Sequence, residues 1–197
     1  MMRTAVAGVV GGLVLFLWSF LSWVVLPIHT PTIKQLPQED TVMSMMRANM
    51  PDKGVYYFPQ ISPSAAKDPA AVEAWTAKYA RGPIGFIVYS PEGGAPMEPL
   101  TLVVSFILEI AAALFGIWFF RRSTAARSGY FSQAAFFGAI GTLICVAVYL
   151  QEWLHMKYPL AYSLAFCADA AFGWFLMGLA IVPMLNAGMK KQSPSGS

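Results

Sequence analysis

The chain has 197 residues, 57% of them hydrophobic and only 12% charged, with a formal net charge of +3 and a mean hydropathy of +0.56. A soluble domain of this length needs a larger charged surface, so the balance excludes an ordinary aqueous globule and points to the membrane. The basic residues sit in short clusters beside apolar runs, unlike the spread charge of a nucleic-acid-binding chain. Both cysteines, Cys145 and Cys167, fall inside apolar segments, so burial beside apolar side chains is expected of them and an aqueous disulfide framework is not.

Arg3 and the apolar stretch from Ala5 to Leu26 have the outline of a secretory signal. No small-x-small cleavage site follows, only Pro27 and His29, and a retained helix is expected. The apolar stretches run from Ala5 to Pro27, Leu100 to Phe120, Phe131 to about Tyr149–His155, and Pro159 to about Leu185. Each reaches the roughly 20 residues that cross a hydrocarbon layer at about 1.5 Å per residue. Without the two-residue alternation of barrel strands, helices alone satisfy the backbone there. The expected fold is an all-α integral membrane protein, a four-transmembrane-helix bundle with a small α+β extracytoplasmic cap between the first two helices. Its divisions are residues 1–28, 29–99 (the cap), 100–189 and a cytoplasmic tail, 190–197.

Arg3, then Arg121, Arg122 and Arg127, then Lys190 and Lys191 lie in segments free of acids, whereas residues 29–99 mix both signs. The positive-inside rule then places both termini in the cytoplasm and the long connection outside, as in a bacterial inner-membrane protein. Trp18, Trp23, Trp118 and Trp153 sit near span ends, as an aromatic belt would place them.

In the long connection, Pro37 near a helix start precedes two acids and then Val42, Met45, Met46 and Met50, the spacing of one amphipathic helix. Met43, Met45, Met46 and Met50 could hold monovalent copper, but methionine at helical spacing is more often packing. The sequence "PDKG" makes a turn, and "VYYFP" and "IGFIVYS" (84–90) are β-prone. Between them Asp68 caps a helix with Pro69 at its first position. The expected order is helix, strand, helix, strand, packed on the outer mouth of the bundle.

Hydropathy does not explain the ionisable groups inside the spans. Glu109 and Asp169 lie about nine and ten residues from the outer ends of the second and fourth spans, roughly 13–15 Å deep. Ser19 and Cys145 reach similar depths, so the four helices each contribute one polar group to a layer. An acid at such depth costs about 3 kcal/mol or more and is expected to face the bundle interior. No lysine or arginine lies level with these acids. Water, a proton, a metal ion or another subunit is expected to compensate them, and two acids in contact would titrate as a pair. Thr142, Cys145, Tyr149 and Glu152 recur at helical intervals and form a polar stripe rising to the outer surface.

Glu152 and His155 form a Glu-x-x-His spacing, used as metal ligands in helix bundles. With His29 at the end of the first helix they are a candidate metal or proton site, and a metal ion is the one cofactor these residues would suit. The partner motifs of bundle carboxylate sites are absent. Trp153, Lys157 and Tyr158 make the plain membrane rim the stronger reading. No phosphate loop, dinucleotide fingerprint or nucleophile elbow is present.

Gly8 with Gly12, Ala112 with Gly116, and Ala134 with Gly138 are small-xxx-small pairs suited to close helix packing, within the chain by default. The layout resembles that of claudin-like four-helix proteins, without their paired loop cysteines and tryptophan signature, and a shared layout implies nothing about function. Lacking catalytic motifs, the chain is expected to be an accessory or assembly subunit. It would dock a larger membrane complex through its helices and cap. The alternative is a small transporter, or a proton- or metal-handling protein, centred on Glu109 and Asp169.

Overall fold

In a computed structural model, residues 2–189 are described; Lys190, Lys191 and the rest of the tail lie outside the described residues. Four helical spans are long and apolar enough to cross a bilayer: Met2–Val25, Pro99–Arg122, Tyr130–Met156 and Leu160–Ala187. The first is α1, Met2–Phe20, continued by a π-helical turn at Leu21–Val25, and the second is α4, Pro99–Arg122. The third is α5, Tyr130–Ile144, then a π turn at Cys145–Tyr149, then α6, Leu150–Met156. The fourth is α7, Leu160–Met189. The chain is an integral membrane protein built as a four-helix bundle, with a small two-stranded sheet and short helices between its first two spans.

The chain divides into two compact units, one of them the spans together with the residues up to Lys34, the other Gln35–Ala95. In the bundle, the first span packs against the second and the fourth, and the fourth packs against the third. Glycine permits the close approaches. A Cβ on Gly12 would lie 2.6 Å from the backbone nitrogen of Ile110, and one on Gly141 would strike the carbonyl of Ala170. Gly8 faces Leu114, Gly116 faces Trp174 and Gly138 faces Phe175, so these notches all serve contacts within the chain. Ala134 is fully buried with its backbone against Gly178, while Ala112 is half-buried.

The apolar core fills the half of the bundle nearest the N-terminus. Ala7 and Leu15 of α1 meet Ile117 and Phe120 of α4, Phe137 of α5, and Met177 and Ile181 of α7. The Phe120 ring lies 5.1 Å from Phe137 and 5.6 Å from Phe136, closing the end where the second and third spans are joined. Arg3 Nη1 donates to the carbonyl of Ala187 at 2.8 Å and ties the start of α1 to the end of α7.

In the second unit, α2, Glu39–Asn49, carries Glu39 and Asp40 in its first turn, where the helix dipole favours negative charge. Strand β1, Gly54–Phe58, pairs antiparallel with β2, Gly85–Tyr89, with Val55 opposite Val88. Between them runs α3, Pro69–Arg81. The carboxylate of Asp68 accepts the Ala70 N–H at 3.0 Å to cap α3, and Gly82, at φ +69°, ends it in a conformation side chains resist. Trp75 Nε1 donates to the Pro59 carbonyl at 3.1 Å and fastens α3 to the end of β1. The order helix, strand, helix, strand is as the sequence implies.

Replacing Gly12 with Val drives a branched side chain into the α4 backbone. Thermal unfolding in detergent should show a loss of about 2 kcal/mol or more. A Gly94→Ala control, where nothing lies within 4 Å of the added carbon, should unfold like the parent.

Candidate functional site

The other half of the bundle is not close-packed. It holds a half-open cavity of about 200 Å³, lined on α1 and its π turn by Leu15, Trp18, Ser19 and Trp23. Glu109 enters from α4, Ile144 and Tyr149 from the third span, and Phe166, Asp169, Ala170, Gly173 and Trp174 from α7. Glu109 lies ten residues into its helix and Asp169 nine, about 15 Å and 14 Å from the helix starts. Glu109, Asp169 and Ser19 are thus brought together.

Local sequence explains how the site is positioned. The π turn at Leu21–Val25 ends at Leu26, whose extended backbone (φ −90°, ψ 138°) leaves the helix just before Pro27, which cannot rejoin it. The chain then folds back through a short 3₁₀ turn, Thr30–Thr32, in which the Thr32 hydroxyl donates to the His29 carbonyl at 2.7 Å. This return buries His29 to 1% exposure. Its ring stacks on Trp23 at 4.1 Å with 10° between the planes, and Phe166 meets it edge-on at 4.9 Å. His29 Nε2 lies 3.3 Å from Asp169 Oδ2, where the N–H donates to the carboxylate. Trp18 Nε1 donates to the Asp169 backbone carbonyl at 3.1 Å. His29 Nδ1 and Asp169 Oδ1 are buried without hydrogen-bond partners among the described residues.

Three expectations need correction. His29 is not at the rim with Glu152 and His155. It is buried against Asp169, while His155 is exposed and Glu152 half-buried at the end of the third span. Among the described residues no three His, Cys, Asp or Glu side chains converge on a metal-sized point, so the three-ligand shell is not assembled. Secondly, a protein group does meet one of the acids. It is a histidine, supplied by a segment that returns to the bundle after the first span ends.

Thirdly, Cys145 and Cys167 are not separate buried thiols but a disulfide, with Cα atoms 4.6 Å apart. The signal was available: the spans reverse around Lys157, which is left-handed at φ 61°. Cys145 lies 12 residues before that turn (157 − 145) and Cys167 lies 10 after it (167 − 157), so the two share a depth. A π turn begins at Cys145, within the expected polar stripe, and shifts the helical spacing from there on. Tyr149 lines the cavity, whereas the exposed Thr142 donates to Gly138 of its own helix at 3.0 Å. At the rim, burial, helped by Tyr162 and Glu152, pushes the Tyr158 phenol above its ordinary range.

Trp18, Trp23 and Trp174 were missed as site residues. The first two stand where an aromatic belt is expected, and only the folded-back His29 shows that Trp23 belongs to the site. Glu109 makes no hydrogen bond or ion pair to any described residue, so its carboxyl faces the cavity unengaged. The chain matches no protein-family model, curated protein or solved structure, and function rests on the site itself.

Asp169→Ala would leave the buried imidazole without its partner and should cost about 1–3 kcal/mol in thermal unfolding. Asp169→Asn, which keeps an acceptor, should cost less. Mass spectrometry of the denatured chain should find both cysteines alkylated only after reduction.

Proposed function

We propose that this protein takes up and hands on protons or small cations at an intramembrane site made by Glu109 and Asp169. One observation carries the reading: two carboxylates from different spans line one half-open cavity, and among the described residues the only group paired with either is His29. Two acids at such depth are costly, and a purely structural role gives no reason for leaving Glu109 unengaged.

The same reading sets the chain in a bacterial inner membrane with both termini cytoplasmic and residues 29–99 outside. The acid-free basic segments support this orientation. The Cys145–Cys167 disulfide supports it too, since it lies in the half of the bundle away from those basic ends, towards an oxidising compartment.

A second reading is the accessory subunit docked to a larger membrane complex. What favours it is the outward flank of α4, where Leu108 is 63% and Phe115 67% exposed. Ala111, Leu114, Phe115 and Trp118 line an apolar groove of about 300 Å³ there. Purification in mild detergent should then bring down stoichiometric companions, and a lone chain under every condition removes this reading.

For the first reading, proteoliposomes with a trapped pH dye should show proton flux above that of empty vesicles. Glu109→Gln and Asp169→Asn should each reduce it about tenfold or more. Flux equal in parent, variants and empty vesicles ends the proposal.

A further inference from the structure

We infer that the cavity binds a small organic ammonium ion, a deepening that rests on taking this cavity as the working site. Three indoles, Trp18, Trp23 and Trp174, share the lining with the rings of Tyr149 and Phe166. The acids Glu109 and Asp169 share it too, and no lysine or arginine among the described residues does. Aromatic faces attract cations through their negative quadrupole, and they do so best for weakly hydrated organic ammonium groups.

Other ligand classes fit less well. An anion would meet two acids and no base. A neutral apolar molecule would leave the Glu109 carboxylate without a donor once it displaced water from the cavity. A bare metal ion needs several oxygen or nitrogen ligands, and among the described residues no three His, Cys, Asp or Glu side chains converge. A protonated amine answers both parts of the lining. Its N–H groups donate to Glu109, which has no hydrogen-bond or ion-pair partner among the described residues, and its carbon substituents lie against the indole faces. The volume, about 200 Å³, is below the usual range for drug-sized ligands and favours an amine of a few carbons.

Free amines and the ammonium headgroup of phosphatidylethanolamine share this chemistry. Isothermal titration of the full chain in phosphatidylglycerol nanodiscs would use propylammonium, ammonium and 1-propanol, which separate the contributions of charge and carbon. Saturable binding of propylammonium is expected, with ammonium and 1-propanol each about tenfold or more weaker. Glu109→Gln should weaken propylammonium by a similar factor. Tyr149→Leu should weaken it several-fold, and Tyr149→Phe should leave it unchanged because the ring remains. In phosphatidylethanolamine nanodiscs, apparent affinity reduced by competition assigns the site to the lipid headgroup, and unchanged affinity assigns it to a free amine.

No saturable heat for propylammonium, or equal binding of 1-propanol, overturns the inference. These comparisons use the unmodified protein, so a variant that fails to fold cannot obscure them. Proton flux without amine binding removes the ligand class and leaves the proton reading standing, whereas absence of both removes both.

Discussion

The contact between His29 and Asp169 sets the terms for everything on its side of the bundle. An acid about 14 Å along an apolar helix is expensive, and side chains within the spans offer it no cation. The partner therefore comes from outside the regular helices, and the end of the first span is shaped to deliver it. The π turn redirects the chain, Pro27 prevents it from resuming a helix, and Trp23 supplies a flat surface on which the imidazole rests. A first span continued as a regular helix would carry His29 outwards and leave Asp169 alone.

The two halves of the bundle are built on opposite principles. Near the N-terminus, glycine and alanine let backbones touch, and Ile117, Phe120, Phe137 and Met177 leave no exposed surface. At the other end both π turns flank the cavity, one contributing Trp23 and the other Tyr149. Such turns displace side chains from helical spacing and are frequent at working sites. The disulfide then fixes the third span to the fourth two residues before Asp169. The close-packed half holds the spans together, which allows the other half to stay open.

Sequence alone reached as far as periodicity and length reach. Four runs of about 20 apolar residues determine four spans, and the Asp68–Pro69 cap and β-prone runs locate α3 and both strands. Glu109 and Asp169 stand out because hydropathy has no place for them. What stayed hidden was whatever departs from a regular helix. The return of His29 depends on a π turn, which has no simple residue code, and the same departure at Cys145 shifts the spacing of the expected stripe. The disulfide was hidden for a different reason: cysteine in an apolar run reads as a small hydrophobe until the spans are aligned by depth.

The two acids are unequal, and the inequality suits a site that exchanges what it holds. Asp169 is held by its backbone bond to Trp18 and its carboxylate bond to His29, on the helix with neighbours on two sides. Glu109 has no such ties, and the stretch of α4 preceding it is largely exposed. Within the proposed reading, an incoming cation meets Glu109 first, because that carboxylate gives up no existing bond to receive it. Asp169 changes partners only by weakening its contact with a buried imidazole. The unengaged acid therefore sets access, and the acid paired with His29 sets how firmly the charge is kept.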